Sequence, residues 1–255
     1  MSLQPNKSPE QIEAMRQGGR ILGSILHDLK QFVKVGMTGL EVDQWVEQQI
    51  LKHGAIVTYK DPAAGVDYPA SICISVNENI VHGLPNEIPF QKGDVVKFDL
   101  VITYNGMMVD SAFTMVVGEE PTGVKKILLS QTEKALYAGI EQVKAGAKVG
   151  DISAAIEKVA VKAKLGVVKE LVGHGVGQEM HMEPEVPNYG RRGTGPVLSV
   201  GNTIAIEPMF SLGKPAIRVS DDGWTIAMRD GSLSAHFEHT VLVTESGCEI
   251  LTKQQ

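Results

Sequence analysis

Four acidic residues interrupt segments that are otherwise apolar enough to form buried strands. Asp99 lies in VVKFDLVI, Asp110 in MMVDSAFTMVV, Glu207 in NTIAIEPMF and Glu238 in SAHFEHTVLV. A buried carboxylate is unfavourable unless a cation or a set of hydrogen-bond donors compensates its charge. An ion pair is the usual compensation, but no Arg or Lys is close in sequence to Glu207 or Glu238. The four acids are therefore candidates for one shared site.

Asp99 and Asp110 are separated by a segment that is typical of a tight hairpin. Asn-Gly at 105–106 is a strong two-residue turn signal. Asp99 then pairs with residue 112, or with residue 110 if the turn begins one residue earlier. Both registers place the two carboxylates on one face of the sheet, either diagonal or adjacent. Like charges this close require a cation; the alternative is an exposed sheet face with two solvated acids.

Three histidines flanked by Gly or Pro join the acids as candidates. His82 lies in IVHGLP, His174 in LVGHGVG and His181 in EMHMEP. The glycines on both sides of His174 allow the backbone to pass close to a metal or a substrate. The remaining histidines are expected at surface or core positions: His27, His53, His236 and His239. His236 and His239 flank Glu238 and are expected at most to contact the site's ligands, not to bind a metal or substrate themselves.

Four carboxylates and an imidazole form a ligand set of hard to borderline character. Such a set suits two divalent transition ions bridged by carboxylates and water, rather than a thiolate-bound structural zinc. Two ions with a shared hydroxide provide a nucleophile at neutral pH and polarise a carbonyl. A free imidazole nearby can then stabilise the developing charge or bind the substrate.

An internal repeat explains how these residues come together. KVGMTGLEVDQWVE at 34–47 resembles KAGAKVGDISAAIE at 144–157, and each segment precedes a β-rich region. In the aligned halves Asp99 falls opposite Glu207, and Asp110 falls opposite Glu238. Two similar halves that face each other would therefore place the four acids at their central interface.

Helix and strand signals alternate in the same order in both halves. Ser8-Pro9 with Gln11, and Thr38 with Glu41, are capping-box starts for the first two helices. Gly36 and Gly54 end these helices, and two more are predicted near 121–143 and 151–165. The predicted strands are 71–76, 95–102, 107–117, 167–177, 202–210 and 237–244, with a hairpin around 221–223.

No composition shift or Pro/Ser-rich linker separates the halves, which favours a single domain over residues 1–255 with residues 1–8 as a flexible lead-in, and its helix and strand signals predict an α+β fold. The 255 residues carry a formal net charge of −6 without a long basic cluster, so nothing indicates a nucleic-acid surface. Two cysteines do not make a disulfide framework, which favours a reducing cytosol. There is no signal-like N-terminal stretch and no run of 18 apolar residues, so no membrane span is expected.

The motifs IVHGLPN, KFDLV, MMVDSAFT, LVGHGVGQEMHMEPEVPNY, IAIEPMF and SAHFEHTVLV together resemble type I methionine aminopeptidases. The resemblance runs from about Ser8 to Leu251 and implies the pita-bread fold of that family. It implies that five side chains hold two divalent ions (Co, Mn, Fe or Zn): Asp99, Asp110, His174, Glu207 and Glu238. It further implies that His82 and His181 contact substrate during catalysis and that Glu207 carries a proton.

The resemblance also implies a methionine pocket made by Tyr68, Cys73, Met180 and Trp224. The segment 59–67 departs from the family pattern, since Pro62 and Gly65 stand where a cysteine and a larger aromatic residue are common. Met180 likewise stands where an aromatic residue is common. A monovalent cation, held in some members by backbone oxygens, is implied near Asn77, Asn79 and Ser234.

The implied activity is removal of the N-terminal methionine from nascent or newly made chains whose second residue is small. The implied setting is the cytoplasm, at or near the ribosome, and nothing in the sequence requires more than a monomer. One alternative is an Xaa-Pro aminopeptidase or prolidase on the same fold, although those usually carry an extra N-terminal domain. The other is a binding protein that has lost catalysis, which would normally have lost ligands that are all present here.

Overall fold

The computed structural model describes residue 4 and residues 7–253. The expectation of a flexible lead-in over residues 1–8 falls in part on residues 1–3 and 5–6, which lie outside the described residues. Gln4, which is described, is buried among backbone groups of the second half of the chain.

The α-helices of the described residues form one pair in each half of the chain. They are α1 (Pro9–Phe32), α2 (Gly39–Lys52), α3 (Gly123–Ile140) and α4 (Val149–Ala163). Both predicted capping boxes are present, because Ser8 bonds reciprocally with Gln11 and Thr38 with Glu41. α1 ends before Gly36 and α3 and α4 are slightly displaced from their predicted bounds, as frayed ends commonly are. None of these described helices combines the length and the apolarity that a membrane span requires.

The strands of the described residues form two larger antiparallel sheets and two small ones. In chain order they are β1 (Ile56–Val57), β2 (Cys73–Val76), β3 (Asn79–Val81), β4 (Val95–Tyr104), β5 (Met107–Val116), β6 (Gly166–Val167), β7 (Gly173–Gly175), β8 (Met182–Val186), β9 (Thr203–Ile206), β10 (Met209–Ser211), β11 (Ile217–Val219), β12 (Ile226–Met228), β13 (Ser234–His236), β14 (His239–Val243) and β15 (Cys248–Ile250).

The first sheet is built around the long hairpin of β4 and β5. β4 pairs with β5 along one edge, and with β1 and β2 at opposite ends of its other edge. Tyr104 pairs with Met107, so the turn residues are Asn105 and Gly106, with φ values of 48° and 75°. Positive φ at both positions is the type I′ geometry that Asn-Gly favours. The predicted hairpin is therefore confirmed.

The second sheet has the strand order β15-β14-β9-β7-β8 and is less regular than the first. The predicted strand 202–210 is divided into β9 and β10 at Glu207 and Pro208, because proline lacks the N–H that a continuous ladder needs. The predicted strand 167–177 is also divided, into β6 and β7. The single strands expected at these two places are therefore corrected.

Two three-stranded sheets complete the fold, and one of them connects the halves. One has the order β13-β10-β6, and the other has the order β11-β12-β3. β11 and β12 enclose Asp221, Asp222 and Gly223, as the sequence predicted. In the second of these sheets β3, from the first half, pairs with β12, from the second half.

The two larger sheets meet where β5 approaches β14. The hydroxyl of Thr240 accepts a bond from the Asp110 N–H at 3.0 Å and donates to the Asp110 carbonyl at 2.8 Å. One hydrophobic cluster runs from α1 through both larger sheets to α3 and α4. The molecule is thus an α+β fold of two similar halves, and the four acids of interest lie at the junction between them.

Candidate metal centre

Asp99 and Asp110 lie on the paired strands β4 and β5. Asp99 pairs with Ala112 and Asp110 with Val101, so the two acids are diagonal neighbours on one sheet face. This is one of the two predicted registers. Their exposed fractions are 8% and 5%, so the alternative of an exposed sheet face is wrong. The Oδ1 atom of Asp110 is buried and has no hydrogen-bond partner.

Glu207 and Glu238 each lie in a short gap between two strands. Glu207 separates β9 from β10, and its carbonyl accepts a bond from the Asn188 amide at 3.0 Å. Glu238 separates β13 from β14. Its N–H donates to the Ala112 carbonyl at 2.9 Å, and its carbonyl accepts from the Ser111 hydroxyl at 2.7 Å. Glu238 is therefore fixed to β5 by its backbone, beside Asp110.

His174 presents a ring nitrogen to these acids. Its Nδ1 lies 2.9 Å from the Gly175 carbonyl, and a proton on Nδ1 makes that hydrogen bond. The lone pair of Nε2 then faces Glu207 Oε1 at 3.5 Å and Asp110 Oδ2 at 3.8 Å. Burial lowers the pKa of His174 to about 4, which keeps the ring neutral near pH 7.

The glycines beside His174 serve strand packing. A side chain at residue 173 would collide with the carbonyl of Ala205, and one at residue 175 with the carbonyl of Glu183 and the amide of Gln4. The small residues therefore let β7 approach β8 and β9 closely. Close approach to a metal or substrate, the reason expected from the sequence, stays a prediction.

The four carboxyl groups of the cluster would repel one another if all were ionised, unless a positive charge lay among them. Burial raises the pKa of Asp99 to about 7. It also raises the pKa values of Asp110, Glu207 and Glu238 well above their ordinary range, and the neighbouring carboxylates add to the effect. Ionised together, these groups would repel one another in a medium that screens them poorly.

Divalent metal ions fit this donor set. Asp110, His174 and Glu238 each present a ligand atom within 4.8 Å of the others. Glu238 Oε1, like Asp110 Oδ1, is buried without a hydrogen-bond partner. Unpartnered carboxylate oxygens that converge with an imidazole lone pair are the groups that a divalent ion would satisfy. Asp99 and Glu207 border the same space.

A small cavity of about 140 Å³ adjoins this cluster. Every residue that the sequence placed at the site lines it: Tyr68, Cys73, His82, Asp99, Asp110, His174, Met180, His181, Glu207, Trp224 and Glu238. A wider groove of about 460 Å³ shares His82, His181 and Glu207 with it and continues past Leu171 and Met209. The candidate site thus has a small inner chamber and an open approach.

The apolar end of the chamber is held by aromatic contacts. The Tyr68 ring meets the Trp224 ring edge-on at 5.3 Å, and the Tyr68 hydroxyl donates to the Gly83 carbonyl at 2.7 Å. The Cys73 thiol lies 3.7 Å from the Tyr59 hydroxyl. Tyr59 and Val66 also line the chamber, and both were missed because they lie in the segment 59–67 that departs from the family pattern.

His82 and His181 lie on the solvent side of the acids. The His181 ring meets the His174 ring at 4.4 Å, while His82 is half-buried in the left-handed conformation with φ 56°. Burial and the nearby His181 lower the pKa of His82. Both side chains line the chamber and the groove, so they border the path that a substrate would take.

His236 is closer to the acids than the sequence predicted. Its Nε2 lies 3.6 Å from Glu207 Oε2 and 3.9 Å from Glu238 Oε2, and the side chain is 1% exposed. The signal for this contact was its spacing of two residues from Glu238, which places both on one face of an extended chain. His239 instead bonds Thr252 at 3.0 Å, away from the acids.

The expected monovalent-cation position contains the buried Lys97 side chain, whose pKa burial lowers. The Ser234 hydroxyl lies 3.2 Å from the Asn77 carbonyl and 3.3 Å from the Asn79 carbonyl. The Lys97 ammonium donates to the Asn77 carbonyl at 2.7 Å. A monovalent cation at this carbonyl would compete with the Lys97 Nζ for the same acceptor, and the expected cation stays a prediction.

A buried cluster of carboxylates and a neutral imidazole, beside a chamber and an open groove, is typical of enzymes that use divalent ions for hydrolysis. Residues 13–245 match the model of metallopeptidase family M24. The methionine aminopeptidase of Clostridium perfringens is 41% identical, over 96% of this chain and 97% of the relative. The chain belongs to metallopeptidase family M24.

Solved structures agree with this assignment. A methionine aminopeptidase from Thermotoga maritima superposes with a TM-score of 0.93 at 40% identity, over 98% of this chain and 99% of that chain. A prolidase from Pyrococcus furiosus has a TM-score of 0.76 at 24% identity, over 98% of this chain and 66% of that one, and shows the fold alone. The fold is the pita-bread fold of two pseudo-symmetric halves.

Proposed function

We propose that this protein is a metal-dependent aminopeptidase that removes an N-terminal methionine when the second residue is small. The observation that carries the proposal is the direct contact between the acid–imidazole cluster and a small chamber with an apolar end. A chamber of about 140 Å³ suits one side chain rather than a folded segment. The methionine aminopeptidases at about 40% identity support the same activity.

Five side chains are proposed to hold two divalent ions: Asp99, Asp110, His174, Glu207 and Glu238. Asp110 and Glu238 are the best candidates to contact both ions, since they are the matched pair of the two halves and each has an unpartnered oxygen. Bound divalent ions supply Lewis acidity, which polarises a peptide carbonyl and makes water nucleophilic at neutral pH. The ligand set accommodates Mn, Fe, Co or Zn.

Glu207 is proposed to move the proton during hydrolysis. Its side chain is 12% exposed and borders both the chamber and the groove, so it reaches the point where a peptide bond would cross between them. In the metal-free protein, burial and the negative charges of Asp110 and Asp99 raise the pKa of Glu207. A carboxylate with these properties can take a proton from water and deliver it to the leaving amine.

His82 and His181 are proposed to orient the substrate. Their rings lie at the junction of the chamber and the groove, and an imidazole N–H there can donate to a peptide carbonyl. Tyr68, Cys73, Met180 and Trp224, with Tyr59, would surround the methionine side chain. The flexible Met180 in place of an aromatic residue adapts well to an unbranched thioether.

Substrate selection tests the proposal directly. Release of free methionine from Met-Ala-Ser is compared with release from Met-Lys-Ser and Met-Trp-Ser, after loading with each divalent ion in turn. We expect cleavage of the first peptide only. Equal rates on all three peptides would refute the selection at the second residue.

A second substrate series separates the runner-up function. Cleavage of Leu-Pro or Ala-Pro peptides in preference to Met-Ala-Ser would indicate an Xaa-Pro peptidase. Metal binding without hydrolysis of any peptide would indicate a non-catalytic binding protein. We expect neither result, because all the proposed ligands are brought together around one chamber.

The proposed substrates are the N-termini of nascent or newly made chains, met in the cytoplasm at or near the ribosome by a monomer. The relatives support a protein N-terminus as the substrate. Both cysteines are free, with Cys73 buried and Cys248 half-buried. Sedimentation of the pure protein, and of ribosomes mixed with it, measures the oligomeric state and the association separately.

A further inference from the structure

Lys97 is a fully buried lysine without a carboxylate partner. Its exposed fraction is 1%, and it belongs to β4, two residues before Asp99 on the same sheet face. Among the described residues, none of the ion pairs within 4.0 Å includes it. The nearest favourable charge is that of half-buried Glu78, which opposes the lowering of the Lys97 pKa by burial. A buried charge in this position needs an unusual environment.

That environment is made of backbone carbonyls. The Lys97 Nζ lies 2.7 Å from the Asn77 oxygen and 3.4 Å from the Val95 oxygen. Both partners are pure acceptors, so the side chain serves them as a donor. The ammonium form offers three donors and no acceptor, so it can satisfy both carbonyls at once, and these contacts oppose the lowering of its pKa by burial.

The Asn77 carbonyl is held firmly in place. Asn77 has a φ of 55°, its Oδ1 accepts from the Val95 N–H at 3.0 Å, and its Nδ2 donates to Asp94 at 3.0 Å. The N–H and the hydroxyl of Ser234 approach the same carbonyl at 3.3 Å and 3.2 Å. Three segments therefore meet at this oxygen: the turn after β2, the strand β4 and the start of β13.

Convergent carbonyls of this kind are also how proteins bind alkali ions, by replacing the hydration shell of the ion with backbone oxygens. An ammonium carries the same charge but is tethered, so it need not be recruited from solution. We propose that the Lys97 ammonium takes the place of a bound monovalent cation and makes the junction of β13 with β4 independent of sodium and potassium.

The junction matters to the site because β13 leads directly to His236 and Glu238. The Thr114 hydroxyl donates to the His236 carbonyl at 2.6 Å and accepts from its N–H at 3.0 Å, which ties β13 to β5 at the residue that pairs with Lys97. Lys97 is thus a positioning residue: it touches no part of the chamber but anchors the strand that delivers an acid to it.

The test uses thermal unfolding of the full chain without divalent metal, so that it is independent of hydrolysis. Melting temperatures are measured in choline, sodium and potassium chloride at one ionic strength. Wild type is expected to melt within about 1 °C in all three salts. Lys97→Ala leaves room for an ion and should melt about 5–10 °C lower in choline. Sodium or potassium should restore at least about a third of that loss, on the same scale.

Two further variants make the comparison decisive. Lys97→Met keeps the length of the side chain but neither the charge nor space for an ion, so it should lose stability without recovery in any salt. Lys125→Ala removes another ammonium from a backbone carbonyl, that of Gly93, in a half-exposed setting with Glu119 nearby. Its melting temperature should not distinguish sodium or potassium from choline.

Either of two results would overturn the proposal. A wild-type melting temperature that rises in sodium or potassium, but not in choline, would show a separate cation site. A Lys97→Ala protein that behaves alike in all three salts would show that the ammonium is an ordinary packing group. If Lys97→Ala does not fold in choline, the equally small Lys97→Ser is measured in its place, with the same two results decisive.

Discussion

The two halves of this molecule deliver carboxylates to one site by different backbone designs. In the first half Asp99 and Asp110 belong to two ten-residue strands that pair without interruption. In the second half Glu207 and Glu238 lie in gaps, one between β9 and β10 and the other between β13 and β14. The halves resemble each other in element order, yet only the first uses a continuous ladder at the site.

The acidic side chains differ in length in the same way: the continuous strands of the first half carry Asp, and the gaps of the second half carry Glu. A residue inside a regular ladder has its direction set by the register, and a short Asp is then sufficient. A residue in a gap depends on local bonds, as Glu238 does on Ala112 and Ser111. The extra methylene of Glu gives reach from a backbone that has left the sheet. Similar halves can therefore share a function without sharing the local conformation that supports it.

The largest effect is expected from variants that remove one acidic side chain, either from the first half or from the second half. Asp110→Asn and Glu238→Gln should each lower turnover at least about 10⁴-fold, the upper end of what a positioned catalytic group contributes. Each should also reduce bound metal, since each removes a charge from the proposed ligand set. Metal analysis and single-substrate kinetics measure both properties.

The matched controls are the exposed acids Asp28 and Glu245, changed to Asn and Gln. They should have no effect on either property. If one site variant kept full metal occupancy and normal turnover, the half to which it belongs would not supply a bridging carboxylate.

The regular half was also the half that sequence patterns predicted well. The Asn-Gly signal left two possible turns, each with its own register, and the structure has the register of the turn at Asn105-Gly106. The break at Glu207-Pro208 was overlooked, although proline is itself a signal against a continuous strand. The burial of Gln4 and the position of Lys97 depend on contacts between residues distant in sequence, which periodicity does not report.

Three histidines at the site, His82, His174 and His181, are tested next, because they are expected to differ in whether they bind metal. His174→Ala should lose both metal and turnover, since its Nε2 faces Glu207 and Asp110. His82→Ala and His181→Ala should keep metal and lose about 10²–10⁴ in kcat with a smaller change in KM. The exposed His27→Ala is the control.

Metal stoichiometry measured beside the kinetics decides these roles. An empty site in His82→Ala or His181→Ala, or a fully occupied site in His174→Ala, would reverse the assignment. Glu207→Gln should be inactive even where some metal remains, because it loses the group proposed to carry the proton.

A smaller effect concerns the protonation of Asp99, in the first half of the chain. Burial raises the pKa of Asp99 to about 7, so the metal-free folded protein keeps a proton that the unfolded chain releases near its ordinary pKa of about 4. The stabilising contribution is therefore complete at low pH and is lost as the pH rises from about 4 to 7. Asp99→Asn has no titrating group at this position, so its stability does not include this pH-dependent contribution.

The measurement is the difference in melting temperature between Asp99→Asn and wild type, both without metal. The difference should move in favour of Asp99→Asn as the pH rises. Taking a difference removes the opposite trend from buried neutral histidines such as His236, whose pKa burial lowers to about 3. Divalent metal should stabilise wild type most at the upper end of this range. A difference that does not change with pH would show that Asp99 is not held in a raised-pKa environment.

The smallest expected effect tests whether the irregular half needs an added support. The Gln4 amide donates to the carbonyls of Glu183 and Thr203, and its oxygen accepts from the Thr203 N–H. These bonds join β8 to β9 beside His174, where the strands are interrupted and cannot form all their backbone hydrogen bonds with each other.

Gln4→Ala would leave the buried Thr203 N–H unpaired, at a cost of about 1–3 kcal/mol in unfolding free energy. Denaturant unfolding should show a lower midpoint with an unchanged slope, while the exposed Gln48→Ala should change neither. Because the first half has a continuous ladder, it needs no such bridge; an unchanged midpoint in Gln4→Ala would mean that the second half is equally self-sufficient.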